Sequence, residues 1–352
     1  MTRFALKIML NHVIYIGYRI DEPRCESVTI NAALYRKIAE QLGYHCDCVA
    51  YRGSLFSPLR LWRYLRQVAK TCRSRHPVII HDFFVMSGFS LVVQIYLRIH
   101  RIRVRYVKTF INPPGGASLT TIEGLMRLGN NWFIYLLVAC LAGHSTYISP
   151  LQLPRLIQLP APMRMPPMPM RHHDGSVKVV YLGHALRKKG VKLLPAIAEM
   201  VVRARKTAVE FRFSFSDLCD VPQAVEALKR LPRCRVEQET DPIEFFGNAD
   251  IYLLPISNGF AASGAFNTIW EAMSCGCAIV TTSVKHLPEV IDSHNAIIVA
   301  NPTAKQFADA IIRLVDDPDE LIRKRQNAIE AYAAYYQKVE SRIPRILEQI
   351  YD

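Results

Sequence analysis

"DIYLLPISNGFAASGAFNTIWEAMSCGCAIVTT", residues 250 to 282, passes from an apolar run through a loop of small residues into a helical period and then a second apolar run. DIYLLPI reads as a strand, and Ser263 is a natural N-cap for the helix that follows. That helix stops at Gly276, and CAIVTT begins the next strand. A strand, a short loop, a helix and another strand in so few residues are the repeating unit of a doubly wound α/β domain.

The same alternation continues on either side. Upstream lie SVKVVYLG, the helix VKLLPAIAEMVVRAR, the strand AVEFRFSF and the short helix PIEFFGNA; downstream lie AIIVA and a helical stretch in which Pro318 opens a new helix. SRIPRILEQIY closes the chain with Ile343, Ile346, Leu347 and Ile350 on one face. The first half alternates too: LKIMLNHVIYI, the helix SVTINAALYRKIAEQLG, then YHCDCVAY, PVIIHDF and VRYVKTF as strands. That order implies a second parallel sheet. Between the halves, Leu153–Ser176 is crowded with proline and methionine and has no usable period. The expected organisation is a domain at 1–152, a linker at 153–176, a second domain at 177–338 and a final helix at 339–352. A chain of 352 residues suits two cores better than one.

Half the residues are hydrophobic and 21% are charged, so the chain is globular rather than disordered. The nine cysteines are scattered, with CxC pairs at Cys46/Cys48 and Cys275/Cys277 and nothing at zinc spacing, which points to buried thiols in a reducing interior. MTRFALKIML lacks the apolar core of a signal peptide, and the longest apolar run, Trp132–Gly143, falls short of the roughly 20 residues that span a bilayer. The expected location is the cytoplasm, peripheral on the inner face of the membrane.

In a doubly wound sheet, ligands bind beyond the carboxyl ends of the strands. The loop after DIYLLPI feeds a helix whose first amides point into that crevice, and unpaired amides with the helix dipole make a phosphate site. Gly264 and Ala265 allow an anion close to the backbone, and Glu271 falls on the same helix face as Gly264, Asn267 and Thr268. A carboxylate two turns below a phosphate site suits the hydroxyls of a ribose. Taken alone, a glutamate in a capped helix is a solvated residue.

The context decides between these readings. From Asp241 to Leu321 the sequence resembles the C-terminal domain of retaining GT-B glycosyltransferases of family four, over about 140 residues counted from the strand at 177. The shared features are a glutamate followed by Ala-Met, the strand after it, the Pro-Glu-x-Ile of Pro288–Ile291 and the Asn-Ala-Ile-Ile-Val of Asn295–Val299. The resemblance implies two Rossmann-like domains facing a central cleft. It also implies that Glu271 holds the nucleotide ribose, while Gly264, Ala265, Phe266, Asn267 and Thr268 hold the diphosphate. Ser263 stands where the family has a glutamate that touches the donor sugar. In YLGHALRKKGVKLL, which resembles the family's diphosphate turn, Lys189 fills the lysine place, His184 that of the arginine after Gly183, and Arg187 or Lys188 can substitute. Lys189, Glu271 and Ser263 are the catalytic candidates. The resemblance further implies a UDP- or GDP-linked donor, no metal, and retention of configuration with a donor phosphate oxygen taking the acceptor proton. In the first half, Asn112 and the NPPGG turn are candidate crevice residues, and His81 resembles a family histidine although a histidine at a strand end is more often a satisfied structural residue.

Residues 1–150 carry 19 Lys/Arg against 7 Asp/Glu, whereas 151–352 carry 25 against 23. The excess therefore belongs to the first half and points to an anionic partner for it. Ser57 and Pro58 start a helix on whose wheel Leu61, Trp62, Leu65, Val68 and Ala69 share one face and Arg60, Arg63, Arg66 and Lys70 the other. Such a helix lies on an anionic membrane or packs on its own sheet with a wet basic face. No nucleic-acid motif accompanies it. The expectation is a glycosyltransferase acting on a lipid-linked or cell-surface glycan. A degenerate GT-B scaffold and a nucleotide-sugar epimerase on the same fold are the alternatives.

Overall fold

The computed structural model describes residues 12–21, 27–52, 57–75, 78–84, 87–110, 137–138, 140, 142, 144–147, 157–158, 167–168, 175–205, 209–238, 241–256, 267–283 and 290–351. The chain divides into two compact units, Met1–Pro162 with Val339–Asp352, and Met163–Lys338.

The first unit runs β1 (His12–Tyr18), α1 (Ser27–Gln41), β2 (His45–Tyr51), α2 (Pro58–Ser74), β3 (Val78–Asp82), α3 (Ser87–Ile99), β4 (Arg105–Phe110), β5 (His144–Tyr147) and β6 (Ile157–Gln158). Its strands lie in the order β2-β1-β3-β4-β5-β6, every pair parallel. The direction of winding reverses between β1 and β3. β3 is buried at every position, as a central strand covered on both faces must be. The stretch read as linker contributes β6 at the sheet edge, and the division between units falls at Pro162/Met163 within it.

The second unit contains β7 (Val177–Ala185), α4 (Leu194–Ala204), β8 (Val209–Cys219), α5 (Pro222–Arg230), β9 (Cys234–Gln238), α6 (Pro242–Gly247), β10 (Ile251–Leu254), α7 (Asn267–Ser274), β11 (Ala278–Thr282), β12 (Ala296–Val299) and α8 (Ala304–Asp316). The sheet order is β12-β11-β10-β7-β8-β9, again parallel throughout. The chain winds outward from β7 to β9, returns beside β7 as β10, and winds outward the other way. The switch point therefore lies between β7 and β10. β9 is an edge strand whose side chains are mostly half-exposed, and CRVEQ for that reason lacks the apolar run that marks the inner strands. α6 is capped by Asp241, whose Oδ1 accepts from the amides of Ile243 at 2.8 Å and Glu244 at 3.1 Å. A single core runs on both sides of this sheet, built from Val179, Phe211, Ile251, Ile279, Ile197 and Phe307 among others.

The last element, α9, runs unbroken from Pro318 to Tyr351 and so absorbs the separate final helix expected at 339–352. Its residues count with the second unit up to Lys338 and with the first from Val339. Pro344 inside it forfeits a hydrogen bond, at about 3 kcal/mol. Ile343, Ile346, Leu347 and Ile350 are all buried, each contributing about 1.5–3 kcal/mol, which outweighs that loss. At its end the Tyr351 hydroxyl lies 2.9 Å from that of Tyr15 and 2.5 Å from His81 Nδ1, and Arg105 Nη1 donates to the Tyr351 carbonyl at 3.2 Å. Among the described residues no helix is long and apolar enough to cross a membrane, and the described cysteines are free thiols.

Candidate active site at the strand reversal of the second unit

Two chain segments meet where the winding reverses. After β7 the backbone makes two short 3-10 turns, Arg187–Lys189 and Val191–Leu193, joined by Gly190 at φ 76°. A Cβ at Gly190 would lie 1.6 Å from the Pro255 carbonyl oxygen, so only glycine lets this turn rest directly on the chain leaving β10. Gly183 has φ +151°, and the pairing with β8 shifts register between His184 and Ala185, which turns the strand end away from the ladder. The Tyr181 hydroxyl and the Leu186 amide both donate to the His184 carbonyl at 2.9 Å. Asp220, following β8, accepts from the Arg187 amide at 2.6 Å. The basic turn is thus anchored from both flanks. Arg187 is exposed and Lys189 half-buried at its apex.

From the other side comes α7. Asn267 and Thr268 are half-buried, and every residue from Ile269 to Ser274 is buried. Glu271 is only 5% exposed, so it is not the solvated glutamate that an isolated capped helix would carry. The Tyr252 hydroxyl, from β10, donates to Thr268 Oγ1 at 2.8 Å. Burial pushes the Tyr252 phenol above its ordinary range, and the nearby Glu271 carboxylate adds to the rise. Tyr252, Thr268 and Glu271 therefore form one polar group between β10 and the first two turns of α7. Arg325 Nε, from α9, donates to the Gly276 carbonyl at 2.8 Å and closes the far end of that helix segment.

Of the residues expected at the site, Gly183, His184, Arg187 and Lys189 lie on the β7 turn, and Asn267, Thr268 and Glu271 on α7. Both elements border the strand reversal. Ser263, Gly264, Ala265 and Phe266 lie outside the described residues, as do Asn112 and the NPPGG turn. Tyr252 and Asp220 were not anticipated. A tyrosine within the otherwise aliphatic DIYLLPI was the one available signal for the first. No group of three metal-ligating side chains converges among the described residues.

His81 belongs to the first unit and is fully buried there. Its Nε2 lies 2.6 Å from Thr109 Oγ1 and its Nδ1 2.5 Å from the Tyr351 hydroxyl, the arrangement of a satisfied structural histidine. Beside it, Asp82 Oδ1 accepts from Lys108 Nζ at 3.1 Å and from the Phe84 amide at 2.7 Å, and Oδ2 from the Tyr106 hydroxyl at 2.5 Å. The helix α2 corrects its wheel in one place. Tyr64, Leu65, Val68, Ala69 and Cys72 are buried against the sheet, but Trp62 stands 48% exposed with Arg66 stacked over its ring at 4.7 Å.

Two parallel α/β units, the second reversing its winding beside a basic turn and a buried carboxylate, define the GT-B class of glycosyltransferase fold. Solved structures that share it include the following three. Sucrose-phosphate synthase from Thermosynechococcus elongatus superposes with a TM-score of 0.73 at 15% identity, covering 97% of this chain and 99% of that one. WaaG, a glycosyltransferase involved in lipopolysaccharide biosynthesis, gives 0.64 at 13% identity over 96% and 99%. A TarM mutant from S. aureus, in complex with Fondaparinux, alpha-GlcNAc-glycerol and UDP, gives 0.62 at 15% identity over 83% of this chain; the match spans 58% of the TarM chain. No curated protein sequence matches the chain significantly. The profile of the family "Glycosyl transferases group 1" matches residues 176–317, within the second unit.

Proposed function

We propose that the chain is a nucleotide-sugar-dependent glycosyltransferase that transfers a hexose with retention of configuration to a lipid-linked or cell-surface glycan, on the cytoplasmic face of a membrane. The observation that carries this reading is Glu271, a carboxylate buried beside Tyr252 and Thr268 in α7, across the strand reversal from a basic turn. In the proposed complex Gly264, Ala265, Phe266, Asn267 and Thr268 hold the diphosphate through backbone amides, and Ser263 meets the donor sugar. Glu271 accepts hydrogen bonds from the ribose, and charged acceptors make the stronger bonds. Lys189, with Arg187, faces the diphosphate as it leaves and offsets the charge developing on it. His184 and Gly183 complete that turn. A donor phosphate oxygen takes the acceptor proton, and no metal is required.

The acceptor assignment draws on the charge asymmetry of the first half, on WaaG's part in lipopolysaccharide biosynthesis and on the glycoside bound to TarM. Arg60, Arg63, Arg66 and Lys70 are the cations that face the membrane in this reading.

Calorimetric titration of UDP, GDP and their sugar conjugates against the wild type and Glu271→Ala tests it. One nucleotide should bind, and the substitution should weaken it by roughly ten- to a hundredfold, the equivalent of about 1.5–3 kcal/mol for hydrogen bonds to a charged group. No heat with any nucleotide, from a protein whose circular dichroism is native, would sink the reading in favour of a degenerate GT-B scaffold. Sugar turnover without any acceptor would favour the epimerase.

A further inference from the structure

The buried face of α2 is already occupied by the first unit's own sheet, so the amphipathic stripe that suggested a membrane helix is not available to a membrane. What remains outside is a different surface. Its α2 side carries Arg63, Arg66, Lys70 and Arg73, with Leu59 and Trp62 standing exposed among them. Its α3 side is unusual. Ser90, Val93, Gln94 and Leu97 face the core, yet Val92, Ile95 and Ile99 lie exposed on the opposite side of the helix, Ile99 at 72%. A helix apolar on both sides is ordinarily covered on both.

Between the two helices runs an open groove of about 840 Å³, with the four α2 cations along one side and Tyr96 and His100 on the other. Arg98 in the last turn of α3, and Arg101 and Arg103 beyond it, extend the cationic surface, and all three are exposed. Between Asp47 and Glu123 the sequence holds 12 Lys/Arg and a single acidic residue, Asp82, which is buried and bonded to Lys108. The surface therefore carries no carboxylate from either helix to offset its charge.

We infer that the α2–α3 face docks on an anionic phospholipid leaflet, with lipid phosphates in the cationic groove and Trp62, Leu59, Val92, Ile95 and Ile99 entering the interfacial layer. Cations alone would suit a nucleic acid, and apolar residues alone a protein. The two interleaved, with an exposed tryptophan beside the arginines, fit a surface that is both anionic and apolar at depth. The inference deepens the membrane-facing part of the proposed function by replacing the apolar stripe of α2 with the outer stripe of α3. It stands independently of donor binding.

The full chain is sedimented with vesicles of phosphatidylcholine alone and of phosphatidylcholine doped with phosphatidylglycerol, without nucleotide, while tryptophan emission is followed. Binding should require the anionic lipid, weaken with added salt, and shift the emission to the blue in a way lost in Trp62→Phe. The triple variant Arg63→Gln/Arg66→Gln/Lys70→Gln should bind on the order of a hundredfold more weakly, given about 1 kcal/mol for each cation near such a surface. Ile95→Ser/Ile99→Ser, which removes exposed apolar groups only, should lose on the order of tenfold, with circular dichroism unchanged in both variants. Equal binding to the neutral vesicles, no binding to the anionic ones, or undiminished binding by both variants would overturn the inference. So would saturation of the groove by soluble glycerol phosphate at the same affinity as by vesicles. Because no donor is present, a chain that failed to bind any nucleotide would still give a clear answer here.

Discussion

Glu271 and Gly190 illustrate how one residue can be placed by chemistry and another by geometry. Glu271 is buried where a carboxylate is costly unless it is hydrogen-bonded, and its neighbours Tyr252 and Thr268 supply a polar setting between strand and helix. Gly190 carries no chemistry. It permits the Arg187–Lys189 turn to lie on the Pro255 carbonyl. Gly190→Ala should therefore destabilise the second unit by clearly more than the roughly 1–2 kcal/mol that a left-handed alanine costs by itself, because the added carbon must displace backbone. Gly43→Ala is the control. Gly43 is also left-handed, at φ +89°, but a Cβ there meets nothing within 4 Å, so only the conformational cost applies. Urea midpoints of the two variants measure the difference, and equal losses would mean that the contact with Pro255 is unimportant.

At the scale of elements, the turn after β7 and the helix α7 are separate in sequence and joined at the strand reversal. If a nucleotide bridges them, hydrogen exchange at Leu186–Gly190 and in the first two turns of α7 should slow together when UDP or GDP is added, with α5 at the outer sheet edge unchanged. Protection confined to one of the two elements would contradict a shared site. Element boundaries show what local sequence can and cannot say. α7, β10 and β11 were legible from the alternation of apolar runs with Ser and Gly signals. β9 and α5 carry no such signal, because edge position leaves them too polar to stand out. A separate final helix was expected at 339–352, yet α9 runs on through that boundary and through Pro344, where four buried side chains hold it.

Of the two units into which the molecule divides, the first has an acid-sensitive element in its core. Burial lowers the His81 imidazole to about 3, and the Lys108 charge adds to the shift, against an ordinary value of 6.5. Below pH 6.5 the unfolded chain takes up a proton at this residue that the folded unit does not. Stability from His81 is thus fully present above about pH 6.5 and falls as the pH drops toward 3, by up to about 1.4 kcal/mol per pH unit. Urea unfolding of the first unit between about pH 7.5 and 5, above the carboxylate range, should show this slope, and His81→Gln should flatten it. A variant with an unchanged slope would assign the acid sensitivity to other histidines.

By itself the sequence determined the class of fold. Apolar runs alternating with helical periods are local consequences of strands buried on both faces, and the spacing of Asn267, Thr268 and Glu271 along α7 follows from helical periodicity. Charge asymmetry was equally legible, because composition needs no coordinates. Only the tertiary structure decided which faces remain exposed. Burial depends on what packs opposite: the apolar face of α2 was consumed by its own sheet, while α3 kept a second apolar stripe outside. The same holds for Glu271, whose burial is set by what packs on α7, the strand β10 with Tyr252 included, and not by its own helix.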